Sequence, residues 1–274
     1  MVIQHNIAAI NSYRNLSINQ NALSKNLEKL SSGYKINRAG DDAAGLAISE
    51  TMRSQINGLN QAVNNANDAV GLIQTAEGAM TETHSMLQRM KTLATQAANG
   101  TYTSTARGNI KAEIDALNKE ITRIATTTEF NGEKPLNPDT QRGANLTFFI
   151  GASADTTNAM TVAQMTMAEA LTINNIAVDT TTHAFNAMAS IDAAIEKVST
   201  YRATLGAAQK RLEHTVNNLK VTSENITSAE SRIRDTDMAD EITAYTKNNI
   251  LLQAAQSMLS QANSMPQGVL SMLQ

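Results

Sequence analysis

From Met52 onward the apolar residues Met52, Ile56, Leu59, Val63, Ala66, Val70 and Ile73 recur alternately four and three positions apart. That alternation averages 3.5 residues, the repeat that keeps one stripe of a helix facing a partner helix, and a strand cannot use it. The stripe persists, less regularly, through Met80, Leu87 and Met90. A second one opens at Met188, Ile191, Ile195 and Val198 and continues through Leu205, Ala208, Leu212, Val216, Leu219 and Ile226 to Ile233. At 1.5 Å per residue this second stripe alone spans roughly 70 Å, far more than a globular core needs. Ile110, Ile114, Leu117, Ile121 and Ile124 mark a third helix between Thr105 and Thr126.

The breakers agree with long helices. There are three prolines, Pro135 and Pro138 in the middle and Pro266 near the end. Between Phe130 and about Asn174 the texture turns to Gly, Pro, Asn and Thr. Within it the run Leu146 to Ile150 and another around Ala159 to Gln164 read as strands, with Gly151 to Asn158 turning one into the other. The fold class is therefore mainly α: a long antiparallel helical hairpin or coiled-coil bundle, with a small β-hairpin region in the middle of the chain forming the tip where the chain reverses.

Composition narrows the function. Aromatic residues make up 3% of the chain and tryptophan is absent, unlike most compact enzyme cores. A net charge of -3 from 22 basic and 25 acidic side chains gives no pull toward nucleic acid or anionic lipid. Without cysteine there is no disulfide framework and no cysteine-based metal site or nucleophile. Met1 to Tyr13 lacks the features of a secretory signal, and no run of about 18 apolar residues suggests membrane insertion.

The ends carry the sharpest signal. From Met1 to Ser24 the only fixed charge is Arg14, and from Asn248 to Gln274 there is none. Apolar residues nonetheless recur at helical spacing, as Ile3, Ile7 and Ile10 and as Leu252, Ala255, Leu259 and Ala262. Two such segments alone bury too little surface to offset the entropy of ordering, so they are expected to be disordered in the monomer. A surface without charge suits packing against identical copies, where a repeated like charge would repel. Ile3, Ile7, Ile10, Leu252, Leu259 and Leu273 are the candidate assembly-core positions.

Leu30 to Ser49 reads LSSGYKINRAGDDAAGLAIS. Gly33 and Gly40 are placed to turn the chain, Asp41 and Asp42 to start a new helix, and Ala43, Ala44, Gly45 and Ala47 to permit close packing. No histidine or further carboxylate stands at ligand spacing, so the Asp pair does not read as a metal site. Taken with the opening MVIQHNIAAINSYR and with SAESRIRDTDMADE at Ser228 to Glu241, this segment closely resembles bacterial flagellin. The resemblance covers both termini and both long helices, all but roughly the middle 45 residues, where many flagellins expand into outer domains.

That resemblance implies a subunit exported unfolded through the flagellar type III apparatus, without a cleaved signal peptide, and polymerised extracellularly beneath a filament cap. It implies a terminal coiled-coil core domain from residues 1–42 and 235–274, and a helical rod domain, 43–234, bearing the β-hairpin tip at about 130–174. Implied partners are further copies of the chain, an export chaperone at the C-terminal segment, and the cap and hook-junction proteins. Flagellins of some bacteria are also recognised by Toll-like receptor 5; Gln88, Arg89 and Leu93 match that pattern, and Glu113 matches its acidic position. Gly40 departs from the basic residue many relatives carry there, and Pro135 interrupts the stretch after Phe130 to Gly132.

Catalysis has no support in the sequence. His5, His84, His183 and His214 are dispersed, and Glu213 beside His214 points another way on a helix. No HExxH, nucleophile elbow, phosphate loop or dinucleotide fingerprint occurs, so no catalytic residue, metal or cofactor is expected. The alternatives to a filament subunit are a hook-filament junction protein and a secreted ligand of an innate immune receptor.

Overall fold

A computed structural model describes residues 6–137, 145–153, 155–164, 167, 173 and 176–272, with side chains as far as Met265. The helices are α1 (Ile7–Ser32), α2 (Ala43–Ala98), α3 (Ser104–Thr127), α4 (Thr181–Arg234) and α5 (Met238–Met272). Strands β1 (Asn145–Phe149) and β2 (Ala159–Ala163) lie between α3 and α4. The expected mainly helical bundle with a central hairpin is what forms.

Local chemistry sets the helix ends. Asn6 accepts the Ala9 N–H through its side chain (3.1 Å) and opens α1, which closes on Gly33 at φ 75°. Asp42 accepts the Gly45 N–H (2.9 Å) at the start of α2, and Asp237 accepts those of Ala239 and Asp240 at the start of α5. Beyond the end of α2 no left-handed glycine follows. Instead Arg107 of α3 donates to the Ala97 and Asn99 carbonyls (2.9 and 3.1 Å), satisfying acceptors the helix leaves open.

The chain divides into two compact units, residues up to Ser54 with those from Glu224 onward, and Gln55–Ser223. The sequence boundaries at 42 and 235 fall inside the first unit.

In the second unit α2, α3 and α4 share one hydrophobic core. On α2 the buried seam is Leu59, Ala62, Ala66, Ala69, Ile73, Ala76, Met80, Thr83, Leu87, Met90, Ala94 and Ala97, alternating three and four without a break. The expected Val63 and Val70 sit beside it and pack on its flank. On α4 the seam begins Ala184, Ala187, Ile191, Ala194 and Val198, while the expected Met188 and Ile195 are flanking. Alanine at the centre lets the helix backbones approach closely, and Val63, Val70, Met188 and Ile195, each next to a seam alanine, pack on its flank. Partners fall along α4 as they rise along α2, which shows the pairing to be antiparallel: Asn60 with Ser223, Glu77 with Arg202, Lys91 with Asp192 and Thr95 with Met188.

The hairpin pairs in the expected segments, in antiparallel register from Asn145↔Ala163 to Phe149↔Ala159. Its location differs from a tip at the helix reversal. The Asn65 amide donates to the Phe149 carbonyl (3.0 Å), and a Cβ on Gly58 would meet Ala152 at 3.1 Å, so the hairpin lies back along α2 rather than over its end at Ala98. Before it, Asn131 (φ 52°) and Gly132 (φ 80°) form a tight turn in which Phe130 and Glu133 exchange both backbone hydrogen bonds. After the turn the chain enters the core at Pro135 and Leu136.

Candidate functional site

In the first unit α1 and α5 pack along one another. Asn6 donates its side-chain N–H to the Ala262 carbonyl (2.7 Å), Asn19 to that of Leu251 (3.4 Å), and Lys29 faces Glu241 (3.8 Å). The rising and falling numbers again give an antiparallel pair. Its inner face is thin. Ala9, Ser12, Leu16, Leu23 and Asn26 of α1 are covered, as are Leu252, Ala255, Leu259 and Ala262 of α5, but among the described residues of the two helices only Asn26 and Ala262 are fully buried. The Asn26 amide nitrogen has no hydrogen-bond partner among the described residues, and a buried unpaired donor costs on the order of 1–3 kcal/mol.

Large apolar side chains point the other way. Ile7, Ile10 and Ile18 are 60%, 56% and 57% exposed, on the side of α1 opposite the pair. Ile250, Met258 and Met265 form a matching stripe on α5, seven or eight residues apart. Of the candidate assembly residues, Ile7 and Ile10 are thus outward, while Leu252 and Leu259 face α1. Ile3 and Leu273 lie outside the described residues.

A joint ties this pair to the long helices, and the sequence reading assigned it no residues. Tyr34 and Asp235 form an isolated antiparallel bridge, Lys35 donates to the Arg234 carbonyl (2.6 Å) and Thr236 to that of Gly33 (3.0 Å). The Arg234 guanidinium stacks over the Tyr34 ring (4.8 Å to its centroid) and pairs with Glu50 (2.5 Å). Sequence alone offers Glu230, Asp235 and Asp237 as nearby partners for Arg234, so nothing local pointed to Glu50 and Tyr34.

The LSSGYKINRAGDDAAG corner folds largely as its residues suggest. Gly33 takes the left-handed conformation, and a Cβ on Gly45 would press on Ile36 (2.9 Å) and on the Asp42 carboxylate. Gly40 has no positive φ and open space around it, so the turn does not depend on its freedom. Asp41 accepts N–H bonds from Arg38 and Asn37 (3.1 and 3.3 Å), and the Arg38 bond first of all lowers its pKa below the usual carboxylate value.

The candidate receptor residues are only partly brought together. Arg89 and Glu113 form an exposed ion pair (2.8 Å) and Gln88 is exposed one residue away, its amide against His84 (3.0 Å). Leu93 does not belong with them. It is 2% exposed in the core of the second unit, because it stands one position from the seam alanine Ala94, on the side of α2 that faces the bundle. Among the described residues no group of His, Cys, Asp and Glu could hold a metal ion, and no helix is long and apolar enough to cross a membrane.

Residues 3–140 match the bacterial flagellin N-terminal helical region, and residues 188–273 the bacterial flagellin C-terminal helical region. The flagellin of Bacillus subtilis strain 168 is 50% identical over 303 aligned residues that cover 100% of both chains. Among solved structures, Bacillus cereus flagellin superposes with a TM-score of 0.51 at 30% identity, over 61% of this chain and 94% of that one. A putative flagellar hook-associated protein from Vibrio parahaemolyticus gives a TM-score of 0.58 over 71% of this chain and 100% of its own. At 11% identity that likeness shows the fold alone.

Proposed function

The chain belongs to the bacterial flagellins and is a structural subunit of the flagellar filament, and on that premise we propose that its paired terminal helices are the surface through which copies join. The observation that carries this reading is the double-sided apolar character of α1 and α5. One side of each makes the thin intramolecular pair, and the other exposes Ile7, Ile10 and Ile18 or Ile250, Met258 and Met265. Exposed aliphatic stripes on a nearly uncharged pair are costly in water and become useful when neighbouring copies cover them. Because the pair buries so little by itself, its order comes chiefly from assembly, and before assembly these segments are loosely held.

The same surface explains the other partners in this reading. A chaperone covers the charge-free C-terminal segment before secretion, the subunit leaves through the flagellar type III route, and cap and hook-junction proteins meet the terminal pair at the ends of the polymer. The filament that results is extracellular. For Toll-like receptor 5 the usable surface reduces to Gln88, Arg89 and Glu113, since Leu93 is buried.

Deleting residues 248–274 tests the assembly reading. The expected product keeps the helical second unit, measured by circular dichroism, and forms no filaments on electron microscopy after seeding with filament fragments. Filaments from the truncated chain overturn the proposal.

A further inference from the structure

The chain has 13 methionines and no cysteine, so all of its sulfur is thioether sulfur. A thioether needs no deprotonation to react with an oxidant, and its exposure sets how readily it does so. Among the described residues these side chains divide by location. Met80, Met90, Met160 and Met167 are buried in the second unit, Met86 and Met188 pack against its core, and Met52 is half-buried. The Met167 and Met188 sulfurs stand 3.8 and 3.9 Å from the Thr83 and Thr95 hydroxyls. The three exposed side chains, Met238, Met258 and Met265, all belong to α5, and Met258 at 64% and Met265 at 50% share the outward stripe with Ile250. Leu252, Ala255 and Leu259 take the side toward α1, so the two exposed thioethers contribute little to the helix pair.

Oxidation changes what such a stripe can meet. The sulfur lone pair attacks one oxygen of a peroxide, an S–O bond forms as the O–O bond breaks, and the electron pair passes from sulfur to peroxide. The proton left on the transferred oxygen goes to the departing hydroxide, giving sulfoxide and water. A sulfoxide oxygen is a polar acceptor, and an aliphatic surface closing over it leaves it unpaired. We infer that Met258 and Met265 are an oxidation-sensitive control on assembly: hydrogen peroxide acting on the free subunit turns the α5 stripe polar and blocks its addition to the polymer, while the polymer shields the same two sulfurs. The inference rests on the proposed role of the terminal helices.

The test treats full-length protein with hydrogen peroxide, as free subunit and as filament. Peptide mass spectrometry locates the added oxygen, and sedimentation after seeding gives the critical concentration. In the free subunit Met258 and Met265 are expected to oxidise well before Met80, Met90 and Met160, and the critical concentration to rise roughly tenfold or more. Reduction by the two methionine sulfoxide reductases, one for each sulfoxide epimer, is expected to restore elongation. Met258→Leu/Met265→Leu keeps the stripe apolar and is expected to elongate like the wild type before and after the same dose. In the filament both methionines are expected to be protected. Protection in the filament combined with normal elongation by the oxidised subunit overturns this inference alone. So does a loss of elongation that the reductases do not reverse or that the double variant suffers equally. Equal oxidation of Met258 in filament and free subunit overturns the assembly reading as well, because the stripe is then uncovered in the polymer.

Discussion

Replacing Ile7 and Ile10 together by serine separates assembly from folding. Both side chains are more than half exposed, at 60% and 56%, so the isolated subunit has little to lose beyond a few tenths of a kcal/mol of helix propensity. Complete burial of an isoleucine is worth about 1.5–3 kcal/mol. With three-fifths of each side chain still to be covered, closing a neighbour over the stripe contributes about 1–2 kcal/mol per residue and about 2–4 kcal/mol for the pair. Since about 1.4 kcal/mol is a factor of ten in an equilibrium constant, the critical concentration for elongation is expected to rise roughly 30-fold to several hundred-fold. Sedimentation of seeded polymer against subunit concentration measures that value, and thermal melting of the unseeded subunit checks the fold. A double variant that elongates at the wild-type critical concentration refutes the reasoning. So does one whose melting temperature falls in step with its polymerisation, because the two side chains would then be supporting the subunit instead of its contacts.

Leu87→Ala and Leu93→Ala should each cost about 2–5 kcal/mol in urea unfolding, as both remove fully buried side chains from the same core, whereas Arg89→Ala, which loses only an exposed ion pair with Glu113, should cost less than about 1 kcal/mol. Gly33→Ala should destabilise by about 1 kcal/mol because a Cβ is strained at φ 75°, while Gly40→Ala should be neutral or slightly stabilising, both read from thermal melts. Asp41 has a folded pKa below its unfolded value, so its contribution to stability is present above the unfolded carboxylate pKa and is lost as pH falls through the lowered one. Asp41→Asn should therefore weaken the acid dependence of unfolding at and below the ordinary Asp range, and an unchanged pH profile argues against the Arg38 and Asn37 N–H bonds as its cause.

The parts of this fold legible in the sequence are those carried by large aliphatic side chains. Ile110, Ile114 and Ile121 mark the inner stripe of α3 because each has volume to bury, while the expected Leu117 and Ile124 are only partly buried and Ala125 completes the stripe. The two apolar runs around Gly151 mark the hairpin segments because turn residues bound them. Where alanine forms the seam, the same logic points one position off. A side chain with little apolar area makes a weak pattern, so Val63, Val70, Met188 and Ile195 outweigh Ala62, Ala69, Ala187 and Ala194 in a reading by hydrophobicity, although close approach of two backbones selects the alanines. The same reversal explains Leu93: its neighbour Ala94 carries the seam, so a leucine that looked available on an outer face is in the core.

The terminal pair shows the opposite case, in which the pattern is legible but its meaning depends on what the single chain leaves uncovered. Sequence spacing grouped Ile7 and Ile10 with Leu252 and Leu259 as one packing set. The structure divides them, leucines toward the partner helix of the same chain and isoleucines toward solvent, and a single amphipathic period cannot encode which of two stripes meets which neighbour. That division makes the serine variants informative: substitutions on the inner stripe weaken the helix pair and the polymer together, whereas those on the outer stripe are expected to act only where copies meet.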